Sequence, residues 1–181
     1  MDTSRSTGLA AFVAFMACVP LANWLIGHVG TFCVPNGPCV VPVAPGLTAP
    51  SGVLVAGLAL VLRDLVQRCL GTRAGLLAIL GGTLLSVLVA GPQLVLASGS
   101  AFLLSELADF AVYTPLQRRG LVRAVVASSL VGLVLDSVVF LTLAFGSLQF
   151  LPGQVVGKTW AVLVSIPLVT AVRRLTPVPA R

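Results

Sequence analysis

Carboxylates in the middle of an apolar segment are the most informative residues of this chain. Glu106 and Asp109 lie near the centre of residues 97–119, a segment with the apolar length of a membrane helix. With Tyr113 they are spaced i, i+3, i+7, so all three share one helical face. An ionisable group near the centre of a bilayer is costly unless it faces a polar cavity or a partner. This face is therefore the first candidate for a functional site.

Other polar residues also fall inside apolar segments of spanning length. Arg63 and Asp64 are adjacent, Asp136 lies near the middle of its segment, and Lys158 follows Gln154 by one helical turn. Each buried charge costs about 2.5–3.5 kcal/mol on insertion scales. The helices that carry these charges are therefore expected to face a common polar interior.

Two interpretations of these charges compete. In one they form structural ion pairs, Asp64 with Arg68 at i, i+4 and Arg63 with Glu106 or Asp109. In the other they serve a ligand or a proton, because four acids face two bases inside the segments. A desolvated carboxylate favours its protonated form, which suits a proton-coupled carrier. An ionised carboxylate accepts two N–H donors side by side, which suits a heterocyclic ligand.

The elements that must position these residues are transmembrane helices. The 181 residues are 57% hydrophobic and 9% charged, whereas soluble domains carry about 25% charged residues. No polar segment is long enough for a soluble domain, so residues 1–181 are expected to form one all-α, polytopic membrane domain. Six segments have the length and apolarity to span a bilayer: 9–29, 51–70, 74–90, 93–116, 122–145 and 153–172.

Basic residues outside the segments predict the orientation. The loops 30–50, 91–92 and 146–152 contain no Lys or Arg. The positive-inside rule makes the other side cytoplasmic, so we expect both termini in the cytoplasm and a multi-pass protein of the plasma (inner) membrane. Two inverted three-helix halves would fit this count, although no sequence match links the halves. The basic residues are Arg5, Arg68, Arg73, Arg118, Arg119, Arg123, Arg173, Arg174 and Arg181.

Small residues and the proline-rich loop 30–50 predict further features. Rows of small residues around Gly82 and around Ser128 and Gly132 are typical of close helix packing in lipid. Prolines forbid a regular helix through the loop. A disulfide between its Cys33 and Cys39 is plausible if the loop is extracytoplasmic, and the sequence leaves the reduced form equally open.

Enzymatic chemistry is not indicated. The chain has no G-x-x-x-x-G-K-[ST] loop and no H-E-x-x-H motif, and its single histidine is His28. No His or further Cys lies near the loop cysteines to complete a zinc site. The basic residues occur as topology signals rather than as a patch, so no nucleic-acid partner is expected. We therefore predict no enzyme activity and no cofactor.

Four stretches carry a resemblance to a known family. They are VPVAPGLTAPSGVLVAGLALVLRDLVQ (41–67), SGSAFLLSELADFAVYTPLQRR (98–119), VVASSLVGLVLDSVVFLTLAF (125–145) and GQVVGKTW (153–160). Together they resemble the VUT family of vitamin uptake transporters, associated with queuosine precursors, and look closest to its compact actinobacterial or phage-type members. The resemblance implies import of a 7-deazaguanine such as preQ0, preQ1 or queuine.

The resemblance also implies roles for the intramembrane residues. Guanine-like rings present an N1–H and an exocyclic amine side by side, which one carboxylate can accept. Glu106 or Asp109 is expected to hold that edge, with Asp136 as partner or proton carrier. Lys158 and Gln154 would meet the ring carbonyl.

The remaining site residues and the rival functions complete the expectation. Arg63 and Asp64 would gate or orient the substrate, and Tyr113 belongs to the same substrate site. A secondary carrier is the preferred function. One rival is the substrate-binding subunit of an energy-coupling-factor importer, and another is a membrane enzyme or assembly factor with structural carboxylates. A monomer and a homodimer are both compatible with the sequence.

Overall fold

A computed structural model of the chain describes residues 3–35, 37–92 and 94–175, without the side chains of residues 3, 173 and 175. Gln93, the predicted start of the fourth segment, the Arg173 side chain and Arg181 lie outside this description. The described elements are α1 (Thr3–His28), β1 (Phe32–Cys33), β2 (Cys39–Ala44), β3 (Leu47–Pro50), α2 (Val53–Leu70), α3 (Thr72–Val89), α4 (Val95–Leu116), α5 (Leu121–Phe145) and α6 (Leu151–Leu175).

The helices agree with the predicted apolar segments. Each boundary lies within a few residues of the prediction, the largest difference being α1, which begins at Thr3 instead of residue 9. Within the described ranges, five helices, α1 and α3 to α6, are long and apolar enough to cross a membrane. The exception, α2, carries Arg63, Asp64 and Arg68 within 18 residues. Six membrane crossings and cytoplasmic termini remain predictions.

The most charged helix is also the most enclosed one. α2 packs against each of α1, α3, α4, α5 and α6, and 11 of its 18 residues are buried. By contrast, between 28% and 44% of the residues are buried in an 18-residue apolar window of each of the other five helices. The central position of α2 keeps its charges away from lipid, as the cost of an intramembrane charge requires.

Glycines allow close contact between the helices that surround the charged residues. A methyl group on Gly57 of α2 would lie 2.9 Å from the Lys158 carbonyl oxygen of α6. One on Gly132 of α5 would lie 3.1 Å from Asp109 Cβ of α4, and one on Gly82 of α3 would lie 2.6 Å from the Phe102 ring. The packing predicted for the rows around Gly82 and Gly132 is therefore confirmed, and Gly57 adds a contact that was not predicted.

The loop 30–50 contains a three-stranded antiparallel sheet in the order β1-β2-β3. Residues 30–35 and 37–50 form no helix, as the prolines predicted, but the all-α prediction did not include these strands. Cys33 and Cys39 are paired residues of β1 and β2 and are joined by a disulfide. The sheet packs on α1 and α6, so it covers the end of the bundle where α1 ends and α6 begins.

Candidate functional site

A cavity of about 100 Å³ lies between the helices in the half of the bundle nearest the sheet. Residues from all six helices line it, and many of them are apolar or aromatic. Polar groups converge on this space from several helices, which is the usual composition of a small-molecule site. The polar residues that line the cavity are Asn23, Ser86, Ser98, Ser105, Glu106, Asp136, Gln154 and Lys158.

Lys158 and Asp136 form an ion pair in the wall of the cavity. The Lys158 ammonium also donates to Ser137 Oγ at 2.8 Å and to Gln154 Oε1 at 2.6 Å. These three acceptors match the three N–H donors of an ammonium group. The Lys158 side chain is 2% exposed, whereas that of Asp136 is 22% exposed. The carboxylate of Asp136 is therefore the more exposed partner of the ion pair.

Arg63 lies at the centre of a second, deeper group of charges. Its Nε donates to Glu106 Oε2 at 2.9 Å, and its Nη2 donates to Asp109 Oδ1. Its Nη1 donates to Gln67 Oε1 at 3.1 Å and lies 2.8 Å from Asp64 Oδ1. None of the four charged side chains is more than 2% exposed. We call Arg63, Asp64, Glu106 and Asp109 the arginine cluster.

Neighbouring side chains hold the arginine cluster in place. Ser128 of α5 donates to Asp64 Oδ2 at 3.1 Å. The Arg63 guanidinium carbon lies 5.7 Å from the centre of the Tyr113 ring and 5.8 Å from that of Phe110. Both distances are within the range of cation–π attraction. The side chain of Arg63 is therefore fixed by charges along its edge and by aromatic rings nearby.

Depth in the bundle divides the predicted site residues into two groups. The residues that line the cavity are Glu106, Asp136, Gln154 and Lys158. Arg63, Asp64, Asp109 and Tyr113 lie outside the cavity wall, on the side farther from the sheet. The predicted pairing of Arg63 with Glu106 or Asp109 occurs with both acids at once. Glu106 is the member that belongs to both the cavity and the arginine cluster.

Sequence reasoning missed a polar contact on the α1 side of the cavity. Ser98 Oγ of α4 donates to Asn23 Oδ1 at 3.2 Å, and Asn23 Nδ2 donates to the Val19 carbonyl at 3.0 Å. An asparagine inside the otherwise apolar first segment was the signal that could have found this position. The serines carried no such signal, because serine is common in membrane helices as a packing residue.

Apolar helices of spanning length surround a cavity with convergent polar groups, an arrangement typical of membrane proteins that bind a small molecule. The chain belongs to a family of vitamin uptake transporters, because the family model described as "Putative vitamin uptake transporter" matches residues 82–175, more than half of its length. This match confirms the resemblance seen in the sequence. The matched segment includes Glu106, Asp136 and Lys158, whereas Arg63 precedes it. Comparisons with curated proteins and with solved structures gave no match.

Proposed function

We propose that the protein imports a queuosine precursor, a 7-deazaguanine such as preQ0, preQ1 or queuine, as a secondary carrier of the plasma (inner) membrane. The observation that carries this proposal is that Glu106, Asp136 and Gln154 all line the same cavity. A guanine-like ring offers adjacent N–H donors and a carbonyl acceptor on one edge. Two carboxylates and an amide are complementary to that edge.

The hydrogen bonds within the wall support a division of roles. Gln154 Oε1 accepts from Lys158, which orients the amide nitrogen as the group that would donate to a ring carbonyl. Glu106 uses Oε2 to accept from Arg63, and Asp136 uses Oδ2 to accept from Lys158. The second oxygen of each carboxylate would accept an N–H of the ring.

Aromatic residues in the same cavity support a flat ligand. Phe102 of α4 and Phe140 of α5 both line the cavity. Base–aromatic stacking contributes about 1–3 kcal/mol per base in nucleic-acid complexes, and the same contact is available to a free heterocycle. In the proposed orientation both termini are cytoplasmic and the sheet is external. The cavity would then lie in the external half of the bundle, where an importer first meets its substrate.

The test is rescue of tRNA modification in cells that cannot make queuosine precursors. Cells expressing the chain receive preQ0, preQ1 or queuine at low concentration, and queuosine in tRNA is quantified. We expect rescue that depends on the chain, with the best compound identifying the substrate. Glu106→Gln and Asp136→Asn should lower uptake about tenfold or more, because a hydrogen bond to a charged group contributes about 1.5–3 kcal/mol. Gln149→Ala, an exposed position, is the control and should retain uptake.

The same experiment contains the result that would overturn the proposal. If the chain is present in the membrane and none of the three compounds restores queuosine, the proposed substrate is wrong. Purified protein in liposomes then separates carrier from subunit: a secondary carrier exchanges substrate alone. The substrate-binding subunit of an energy-coupling-factor importer would bind substrate and transport it only with an ATPase module.

A further inference from the structure

We propose that Asp64 and Asp109 share one bound proton, and that this pair, rather than Asp136, is the proton site of the carrier. The existence of the site is independent of the substrate, whereas its coupling to uptake rests on the proposed function. The two carboxyl groups come from α2 and α4, and both side chains are fully buried.

The first argument is the charge of the arginine cluster. Three carboxylates contact one guanidinium, so two negative charges would remain uncompensated if all three acids were ionised. A buried ion without compensation costs several kcal/mol. Lys158 and Asp136, in contrast, match one to one. The excess negative charge therefore belongs to the arginine cluster, and one shared proton would reduce it from two charges to one.

The second argument is the arrangement of Asp64 and Asp109, whose carboxyl groups both contact the guanidinium of Arg63. Two ionised carboxylates that share one cation in a buried site repel each other, which favours a proton on one of them. Asp64 Oδ1 and Asp109 Oδ2 are buried and without a hydrogen-bond partner. The Arg63 Nη1 group lies 2.8 Å from Asp64 Oδ1 without the alignment of a hydrogen bond. A shared proton would satisfy these two oxygens together.

The surroundings favour a proton over a metal ion. Within residues 3–35, 37–92 and 94–175, no group of three or more acids, histidines and cysteines is arranged to hold a metal. The guanidinium already occupies the space between the three acids. The Tyr113 hydroxyl is also buried without a hydrogen-bond partner, and its ring lies beside Arg63. It offers a further polar oxygen next to the site.

The groups that face the pair come from three helices. α2 contributes Arg63, α4 contributes Glu106 and Tyr113, and α5 contributes Ser128, the donor to Asp64. The cavity ion pair of Asp136 and Lys158 is the next charged unit along the bundle. The other basic residues of the helices lie near the helix ends: Arg5, His28, Arg68, Arg73, Arg123, Arg173 and Arg174.

Arg63 links this proton to the cavity. When the pair holds its proton, Arg63 can compensate Glu106, which stays ionised and accepts N–H donors of a ligand. When the pair loses the proton, its two charges compete for Arg63, and Glu106 loses the partner that keeps it ionised. A donor-rich ligand and the proton therefore favour each other's binding, and linkage makes the effect reciprocal. The proton would enter with the substrate and leave the pair on the opposite side of the membrane.

The test of the site is infrared spectroscopy of the full-length protein in lipid at pH 7, without any ligand. We expect the C=O stretch of a protonated carboxylic acid in the wild type, shifted in D2O. Asp64→Asn and Asp109→Asn should each abolish this band. Asp136→Asn makes the same change in the ion pair of Asp136 and Lys158 and should leave the band in place. Size-exclusion profiles verify that each variant is folded.

Several results would overturn the assignment. They are absence of the band in the wild type, its loss in Asp136→Asn, and its loss only in Glu106→Gln. Absence of the band together with thermal stabilisation by sodium over choline would indicate a cation site instead. Absence of the band in the wild type is sufficient to exclude the proposal. The test therefore does not depend on whether every variant folds.

The coupling is tested with liposomes and labelled queuine or preQ1. An inward pH gradient should drive accumulation by the wild type. Asp64→Asn should lose this accumulation, because it carries no removable proton at residue 64. If the wild type exchanges but accumulates nothing in a pH gradient, the coupling role is wrong. If the wild type transports none of the compounds while the infrared results are as expected, the proposed substrate fails and the proton site stands.

Discussion

The arginine cluster depends on the particular chemistry of Arg63. A guanidinium carries five N–H donors in a planar fork, whereas an ammonium carries three on a single atom. Arg63 contacts Glu106, Asp109 and Asp64 and also donates to Gln67. Lys158 has fewer acceptors to serve, one acid and two neutral oxygens. Each basic residue thus suits the number of groups that surround it.

At the residue scale, Ser128→Ala should destabilise the protein while Ser129→Ala should not. Both serines are fully buried on α5, but Ser128 donates to Asp64 Oδ2 and Ser129 Oγ has no hydrogen-bond partner. Leaving a buried acceptor unsatisfied costs about 1–3 kcal/mol. Thermal unfolding in detergent compares the two variants with the wild type. Equal unfolding temperatures for both variants would mean that the hydrogen bond to Asp64 contributes nothing.

At the element scale, the position of α2 explains how a helix with three charges fits into an apolar bundle. α2 packs against the five other described helices, and Gly57 lets it approach α6 at Lys158. This contact sets the distance between the two groups of charges, because Arg63 and Lys158 lie on the helices that it joins. A larger residue at Gly57 would push α2 and α6 apart at the cavity wall.

We therefore expect Gly57→Ala to lower stability by about 1–3 kcal/mol, the usual cost of overpacking. The added methyl would lie 2.8 Å from Ala161 Cβ and 2.9 Å from backbone atoms of Lys158. The matched control is Gly27→Ala on α1, where a methyl meets nothing within 4 Å. That change should be neutral or slightly stabilising, because alanine favours helix. Equal thermal stability of the two variants would contradict the close α2–α6 contact.

The helices could be predicted from sequence, whereas the sheet could not. Apolar length alone indicated each helix, since a membrane span needs about 20 apolar residues. The strands are short and one contains Pro42, a residue that cannot donate to a strand neighbour. The sheet packs against α1 and α6. The contacts with α6 join segments far apart in the sequence, and local patterns do not encode them.

The spacing of Glu106 and Asp109 predicted which face of α4 carries the candidate site. It did not predict how deep in the bundle each residue lies. Glu106 and Asp109 do share a buried face of α4. They differ in height by about 4.5 Å along the helix, and only Glu106 reaches the cavity. Leu60 of α2 lines the cavity and packs beside Gly132, at the level of Asp109. The floor of the cavity thus depends on side chains of other helices, whose positions the sequence does not reveal.

At the scale of the whole molecule, the distribution of arginines predicts the orientation in the membrane. In a variant with Cys18 and Cys69 replaced by alanine, a membrane-impermeant maleimide should label Cys33, an exposed residue, in intact cells after reduction of its disulfide. A cysteine introduced by Arg119→Cys, an exposed position, should react only after permeabilisation. This outcome follows from the positive-inside rule. The reverse labelling pattern would place the sheet in the cytoplasm and overturn the proposed direction of import.

The partners of Arg63 also impose an order on biogenesis. Glu106 and Asp109 follow Arg63 by 43 and 46 residues, and Ser128 follows Asp64 by 64. When α2 enters the membrane, α4 and α5 have not yet been inserted, so Asp64 is the one acidic partner of Arg63 that is already beside it. α2 is then expected to wait at the translocon or the membrane surface until α4 arrives. A nascent chain that ends after α3 should leave α2 accessible to protease, and one that ends after α5 should protect it. Protection of α2 in both chains would show that it inserts without its later partners.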